Sequence, residues 1–311
     1  RASAYNSFMN GIPQSLAVSL ALLAAVPLMA QAGLGDLEEL KYSETFNTLS
    51  ATNSTGGTPT EVNAELQKVG WQMWSFKRWN HARTRTIEDG GGGNMVVTAG
   101  MEQSNNTGGD LEKDLVARSA TNSPAYLDVR VRGSVAWNHS PTIGAAWQGP
   151  GIIVRASASA GAADAATFTG DFYLIRLTDC NDPGAGTDGI QLIRVTNGVE
   201  VAVSGTQAWK NGNSNFNTAS NRAGYLYVDI ANVQGSVQVS AVFSTDSTFS
   251  DPSKAIIFGS WTDSSAARIL TSGTVGFAHS SFVNHYDGTC KFTWDSLKVS
   301  RKIWGLVVIL K

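Results

Sequence analysis

Oxygen-bearing side chains crowd into one short stretch, Asp179-Cys-Asn-Asp-Pro-Gly-Ala-Gly-Thr-Asp188. Asp179, Asn181, Asp182 and Asp188 on a glycine-rich loop are the hard oxygen donors that Ca2+ takes. The spacing is not that of an EF-hand, and Asx-rich turns also form without metal because their side chains satisfy nearby backbone groups. Ca2+ is thus compatible with this loop without being required, and nothing else in the chain asks for a cofactor. A second group is Trp209-Lys-Asn-Gly-Asn-Ser-Asn-Phe-Asn217. An indole offers one face of a pyranose an apolar platform, and the amides of Asn211, Asn213 and Asn215 suit its rim of hydroxyls. Trp137-Asn-His139 and Trp147-Gln148 are smaller versions of the same pairing. The plainer reading has Trp209 capping a sheet edge and the asparagines making turns.

Catalytic sets are harder to find. Glu88 and Asp89 are adjacent, so on a strand they point to opposite faces, and from Asp114 onward the only glutamate is Glu200. The four histidines, His81, His139, His279 and His285, fall in polar loops or at strand ends, and no Gly-x-Ser-x-Gly elbow is present. His279 and His285 stand near Asp287, a set suited to metal or proton transfer, with a solvated loop as the expected setting. Cys180 and Cys290 are the only cysteines; one disulfide and two partly buried thiols both fit. The net charge of −2 argues against a nucleic-acid partner, which needs a clustered basic face. The nearest approach to one, Lys77, Arg78, Arg83 and Arg85 among Trp71, Trp74 and Trp79, reads as a strand edge.

These residues need a scaffold, and the pattern behind them is strands. Apolar runs recur at Val69–Phe76, Thr84–Glu88, Asn94–Ala99, Ala125–Trp137, Gly151–Ala156, Asp171–Leu177, Gly189–Thr196, Val199–Ser204, Gly224–Asn232, Ser236–Phe243, Ile256–Trp261, Gly273–Ala278 and Lys291–Val299. In Ala125–Trp137 charged and aliphatic residues alternate, as in a sheet with one solvated face. Asn197-Gly198 between two runs is a strong hairpin signal. Residues 48–65 read as loop, and Leu111–Ala117 as a short helical turn within a polar stretch. With charged residues at 15% and 32 glycines, the composition suits an extracellular or virion all-β protein.

The closing motifs, Gly273-Thr-Val-Gly-Phe277 and then Phe292-Thr-Trp-Asp-Ser-Leu-Lys-Val299, resemble the last two strands of the concanavalin A-like (laminin G-like) jelly roll. The likeness is best over residues 151–299. It implies an all-β antiparallel sandwich of a group that includes lectins, non-catalytic adhesin or virion domains and glycoside hydrolases. The Glu-x-Asp-x-x-Glu strand of those hydrolases is missing here.

Both flanks are sticky. No charged residue lies between Arg1 and Asp36, and Leu16–Ala30 is rich in helix formers. It is read first as a helix packed against other subunits, then as an uncleaved signal or anchor in contact with a membrane, then as a true span. Ile303–Leu310 is a β-branched apolar run, either one more strand of the same sandwich or a strand lent to a neighbour. The organisation expected is a helical extension over 1–40, a sandwich over 41–300 and an apolar strand over 301–311. Self-association is expected through residues 15–32 and 303–310. The function expected is a non-catalytic structural or adhesive surface protein of a virion, filament or cell envelope, with glycans as partners. A secreted lectin is the alternative, and a glycan-degrading enzyme stands third.

Overall fold

Along Ile257–Asp263 burial alternates: Ile257, Gly259, Trp261 and Asp263 face inward, and Phe258, Ser260 and Thr262 outward. That is the period of a strand with one face on a core. The computed structural model describes residues 38–55, 60–77, 84–99, 111–118, 125–138, 146–157, 168, 170–180, 189–203, 209–210, 221–282 and 291–302. The chain begins with β1 (Glu38–Glu44), β2 (Ala51–Thr55), α1 (Thr60–Gln67), β3 (Trp71–Lys77), β4 (Thr84–Asp89), β5 (Asn94–Ala99) and β6 (Leu111–Arg118). It continues through β7 (Val129–Asn138), β8 (Ala146–Ala156), β9 (Phe172–Cys180), β10 (Gly189–Thr196), β11 (Val199–Ala202) and β12 (Trp209–Lys210). It closes with β13 (Asn221–Val233), β14 (Ser236–Ser244), β15 (Ala255–Asp263), β16 (Thr274–Phe282) and β17 (Lys291–Lys302).

Among the described residues these strands make two antiparallel sheets. The first has ten strands in the order β12-β15-β14-β13-β7-β17-β5-β4-β2, with β1 also pairing β17; the second has seven, β11-β10-β9-β8-β16-β6-β3. This is the antiparallel sandwich that the closing motifs implied. Facing residues of the two sheets, among them Val131, Leu226, Val228 and Trp294 against Ile152, Ile175, Leu192 and Phe277, form the main core. Trp71, Phe277 and Trp294 stack in series at 6.3 and 6.4 Å between ring centroids. Gly133 makes room for this stack, since a Cβ there would lie 2.4 Å from Phe277 Cε1. The second sheet is apolar on its other face too, where Trp74, Leu115, Ile153, Phe172, Leu174 and Ile193 are buried and Phe168 sits edge-on to both Trp74 and Phe172.

Several expectations change. Leu111–Ala117 is strand, held between β16 and β3; pairing on both sides overrides its helix-forming composition. Residues 48–65 are not all loop but include β2 and most of α1. Asn63 of α1 is stitched to β3: its amide donates to Met73 O at 3.1 Å, and its Oδ1 accepts from Met73 N at 2.6 Å. Glu38–Leu40, expected in the helical extension, belong to β1. Trp71 and Trp74 keep the strand-edge reading: they are buried side chains of β3, the last strand of the second sheet. Arg130, expected on a solvated face, is 3% exposed and its Nε donates to Asp229 at 3.1 Å. His279 is no loop residue: it continues the inward series Val275, Phe277 in β16, is fully buried, and stacks on Phe292 at 4.5 Å. The hairpin at Asn197-Gly198 forms as expected, with both residues at positive φ (50° and 76°).

Candidate functional site at the long-loop end

The strand registers define two ends of the sandwich. At one end Lys291 stands opposite Asn138 and Ala99, Asn138 opposite Asn221, Phe282 opposite Leu111, and Ala146 opposite Cys180. Connections 78–83, 100–110, 139–145, 181–188, 211–220 and 283–290 attach here, between the ends of β3 and β4, β5 and β6, β7 and β8, β9 and β10, β12 and β13, and β16 and β17. At the opposite end lie the Asn197-Gly198 and Gln234-Gly235 turns, the Gly90–Gly93 turn, the Asp263–Thr274 loop and the partners Glu38 and Lys302.

Of the described residues that the sequence singled out for ligands, Trp137, Asp179, Cys180 and Trp209 stand toward the first end. Asp179 and Cys180 close β9, with Asp179 opposite Trp147; Asn181, Asp182 and Asp188 lie outside the described residues. Trp209 stands opposite Phe258 in the pairing of β12 with β15; Asn211, Asn213 and Asn215 lie outside the described residues, as does Cys290, which immediately precedes β17. Trp137 differs. It is 4% exposed with its ring 5.7 Å from Phe243, a core position with no open face for a sugar. Among the described residues no group of three or more His, Cys, Asp or Glu side chains is placed to hold a metal.

The described floor beside Trp209 is the outer face of the first sheet. Tyr227, Val242, Phe249 and Ala255 form a small cluster there, with Tyr225 and Phe258 partly exposed against it. Arg132 lies 5.5 Å over the Tyr227 ring. Phe249 is delivered by the turn between β14 and β15, which Asp246 organises. Asp246 accepts from Thr248 N (2.9 Å) and Oγ1 (2.7 Å), from Ser250 N (2.8 Å) and from Asp251 N (2.9 Å). Those bonds, the Thr248 hydroxyl first, hold its carboxyl well below the usual range. The result is a fixed rim of exposed hydroxyls, Thr248 and Ser250, above an aromatic floor.

The opposite end carries a group that no sequence motif announced. Arg155 is fully buried in β8, at a positive φ of 54°. Its Nε donates to Leu127 O (2.9 Å), and its Nη1 donates to Asn232 Oδ1 (2.8 Å) and Ile269 O (2.7 Å). Burial lowers its pKa, opposed by nearby Asp128. Beside it Tyr173 OH donates to Asp263 Oδ2 (2.8 Å) and accepts from Ile269 N (3.0 Å), while Arg194 Nη1 reaches the same Asp263 oxygen at 2.8 Å. Burial pushes Asp263 up, but hydrogen bonds from Ser265, Tyr173 and Arg194 outweigh it and hold the carboxyl low. These bonds clamp the Asp263–Thr274 loop across both sheets. A pocket of about 160 Å3 opens nearby between Asp128, Arg130, Asp229, Asn232 and Arg301. Its two carboxylates are engaged: Asp229 by Arg130, and Asp128 by Arg155 (3.4 Å) and Asn232 N (2.8 Å). The other acids considered for catalysis are also tied down. Glu88 is paired with Lys291, Asp89 caps Gly91 N at 2.8 Å, and Glu200 faces Arg176 at 3.5 Å.

No protein-family model matches the chain, and no curated protein matches its sequence. Among solved structures the chain is similar to the CBM2 module of the evolved Dit of Lactobacillus casei BL23 phage J-1, at 9% identity over 86% of this chain and 97% of that one, TM-score 0.45. It is also similar to the exoplasmic/lumenal domain of VIP36 in its Ca2+/Man3GlcNAc-bound form (11%, 78% and 90%, TM-score 0.40). A third is lectin II from Ulex europaeus (12%, 85% and 100%, TM-score 0.37). At these identities and scores the likeness concerns the sandwich and says nothing of a ligand.

Proposed function

We propose that this chain is a non-catalytic, lectin-like sandwich held in a surface assembly, such as a virion, filament or cell envelope, and that its long-loop end contacts glycans. The observation that carries the reading is the division between the ends: the sugar-type loop after Trp209 and the Asx-rich loop after Asp179 attach to the same end, away from Glu38 and Lys302. The aromatic floor of Tyr225, Phe258 and Phe249 beside a preorganised hydroxyl rim supports glycan contact. Rigid donors and acceptors lose little entropy on binding. A non-catalytic role is supported by the carboxylates described above, each already engaged in the scaffold. Ca2+ is an optional partner of Asp179, Asn181, Asp182 and Asp188, and a secreted or surface location follows from the same reading.

The test is binding of the full chain to a panel of immobilised neutral and acidic oligosaccharides, repeated with Trp209→Ala and with a calcium chelator. The expected result is saturable binding to a narrow set, lost in Trp209→Ala with the melting temperature unchanged. Binding that persists in that variant moves the site elsewhere, and turnover of any glycan overturns the non-catalytic reading.

A further inference from the structure

We propose that β11 is a pairing edge, and that a second copy of this chain adds its own β11 there, antiparallel, with Val201 opposite the partner's Val201. The inference goes beyond the reading above, because it names an interaction surface that no sequence motif marked.

β11 is the outermost strand of the second sheet. The Asn197-Gly198 turn sets Thr196 opposite Val199, and the register runs on without a shift to Ile193 opposite Ala202. A two-residue turn is closed by a hydrogen-bonded pair, and such pairs alternate along an antiparallel ladder. Val203 N donates to Leu192 O at 2.9 Å, in phase with that pattern. Val199, Val201 and Val203 therefore turn their N–H and C=O groups to β10, while Glu200 and Ala202 turn theirs outward. The valines share one face of the strand, and Val199 and Val201 are 62% and 44% exposed. The other face carries Glu200, which meets Arg176 Nη1 at 3.5 Å.

Sheet edges are ordinarily guarded by charge, proline, irregular register, shortness or a covering element. The other described edges follow that rule. β3 carries Lys77 and a register shift after Ser75, and β12 has only two residues. β2 shifts register after Ala51 and packs against α1. β1 shifts after Leu40 and carries Glu38, Glu39, Lys41 and Glu44. β11 has no proline and no shift, and its one charge is already paired.

This edge is complementary to itself. A two-fold axis at Val201 sets Glu200 opposite the partner's Ala202, and Ala202 opposite the partner's Glu200. The outward N–H and C=O groups of both strands then meet as hydrogen-bonded pairs. Val201 and the partner's Val201 take the non-hydrogen-bonded position, where side chains come closest, and Val199 falls opposite the partner's Val203. One apolar strip forms, and no like charges stand opposite each other. The two copies run in opposite directions, so their long-loop ends point away from one another. A dimer of this kind can bridge two glycan-bearing surfaces; that consequence alone rests on the glycan reading.

A residue opposite itself allows a test that a merely structural role would not pass. Light scattering over a dilution series measures the mass of the full chain, of Val201→Lys, of Val201→Glu and of an equal mixture of the two variants. Like charges directly opposite one another are unfavourable, and unlike charges favourable. The result expected is a wild-type dimer that dissociates on dilution, two variants that stay single, and a mixture that pairs again. Amide exchange at Glu200 and Ala202 should slow about tenfold from dilute to concentrated wild-type chain. Melting temperatures confirm that the variants are folded, and where one is not, the wild-type exchange decides. A wild-type chain that stays single, variants that still pair, a mixture that does not, or unchanged exchange at those two amides overturns the proposal. Beads bearing the best-bound oligosaccharide separate it from the glycan reading: the mixture should cross-link them and neither variant alone should. A dimer that binds no glycan overturns that reading and leaves the pairing standing.

Discussion

The two ends of this sandwich are finished by different means. At the clasp end, tight turns such as Asn197-Gly198 and Gln234-Gly235 close neighbouring strands, and buried charge is spent on structure: Arg155, Tyr173, Arg194 and Asp263 fasten the Asp263–Thr274 loop to both sheets. At the long-loop end the strands stop on apolar and aromatic packing, with His279 stacked on Phe292 and Phe249 laid on Tyr227, and long polar connections attach beyond them. A connection rich in Asn, Asp and Gly adds its backbone polar groups to the solvent side of the fold, where its sequence can vary without disturbing the core. The lesson is one of separation: buried charge secures one end of the scaffold, and the long connections attach at the other.

That contrast can be broken by mutation. The largest effect is expected from Arg155→Met, which strands buried carbonyls of Leu127 and Ile269. Removing one side of a buried charged network costs about 3–5 kcal/mol, a fall of roughly 10 °C in Tm, with glycan binding at room temperature unchanged. Thermal unfolding alongside a binding isotherm checks both halves. Next comes Tyr173→Phe, which deprives Asp263 of a donor and Ile269 N–H of an acceptor. A loss of about 1–2 kcal/mol is expected in denaturant unfolding.

The pH dependence sharpens the comparison, because each end has a carboxyl held below the usual range. A lowered folded-state pKa contributes stability above the ordinary carboxylate value and loses it as pH falls through that value toward the folded one. Asp263, 2% exposed at the clasp end, should transmit this loss to the whole molecule. Asp263→Asn should therefore flatten the acid limb of stability between about pH 5 and pH 3. The smallest effect is expected at half-buried Asp246, which sits in a surface turn. There Asp246→Asn should leave global stability alone and speed only the amide exchange of Thr248, Ser250 and Asp251, whose N–H groups donate to it.

Much of this fold was legible in the sequence. Strict alternation in runs such as Ser236–Phe243, the Asn-Gly hairpin and the closing motifs led directly to an antiparallel sandwich. α1 was hidden because Val62 and Leu66 are the only large apolar residues in Thr60–Gln67, too few for a visible helical period. Leu111–Ala117 misled because its composition favours helix while its neighbours impose strand. His279 was misplaced by ending β16 at Ala278; one more step of the alternation puts it in the core. The clasp was invisible for another reason: Arg155 finds its partners 28, 77 and 114 residues away, and no local pattern encodes such distances. Of the candidate site, the residue types were readable, whereas their gathering at one end is a property of strand order alone.

The most direct test of the account is amide hydrogen exchange on the full chain with and without the oligosaccharide that it binds best. Protection is predicted at the strand ends of the long-loop end, Asn138, Asp179, Cys180, Gly189 and Trp209, with no change at Tyr126, Asn232 or Ile269. Protection centred on those clasp-end amides would contradict the division of labour between the two ends.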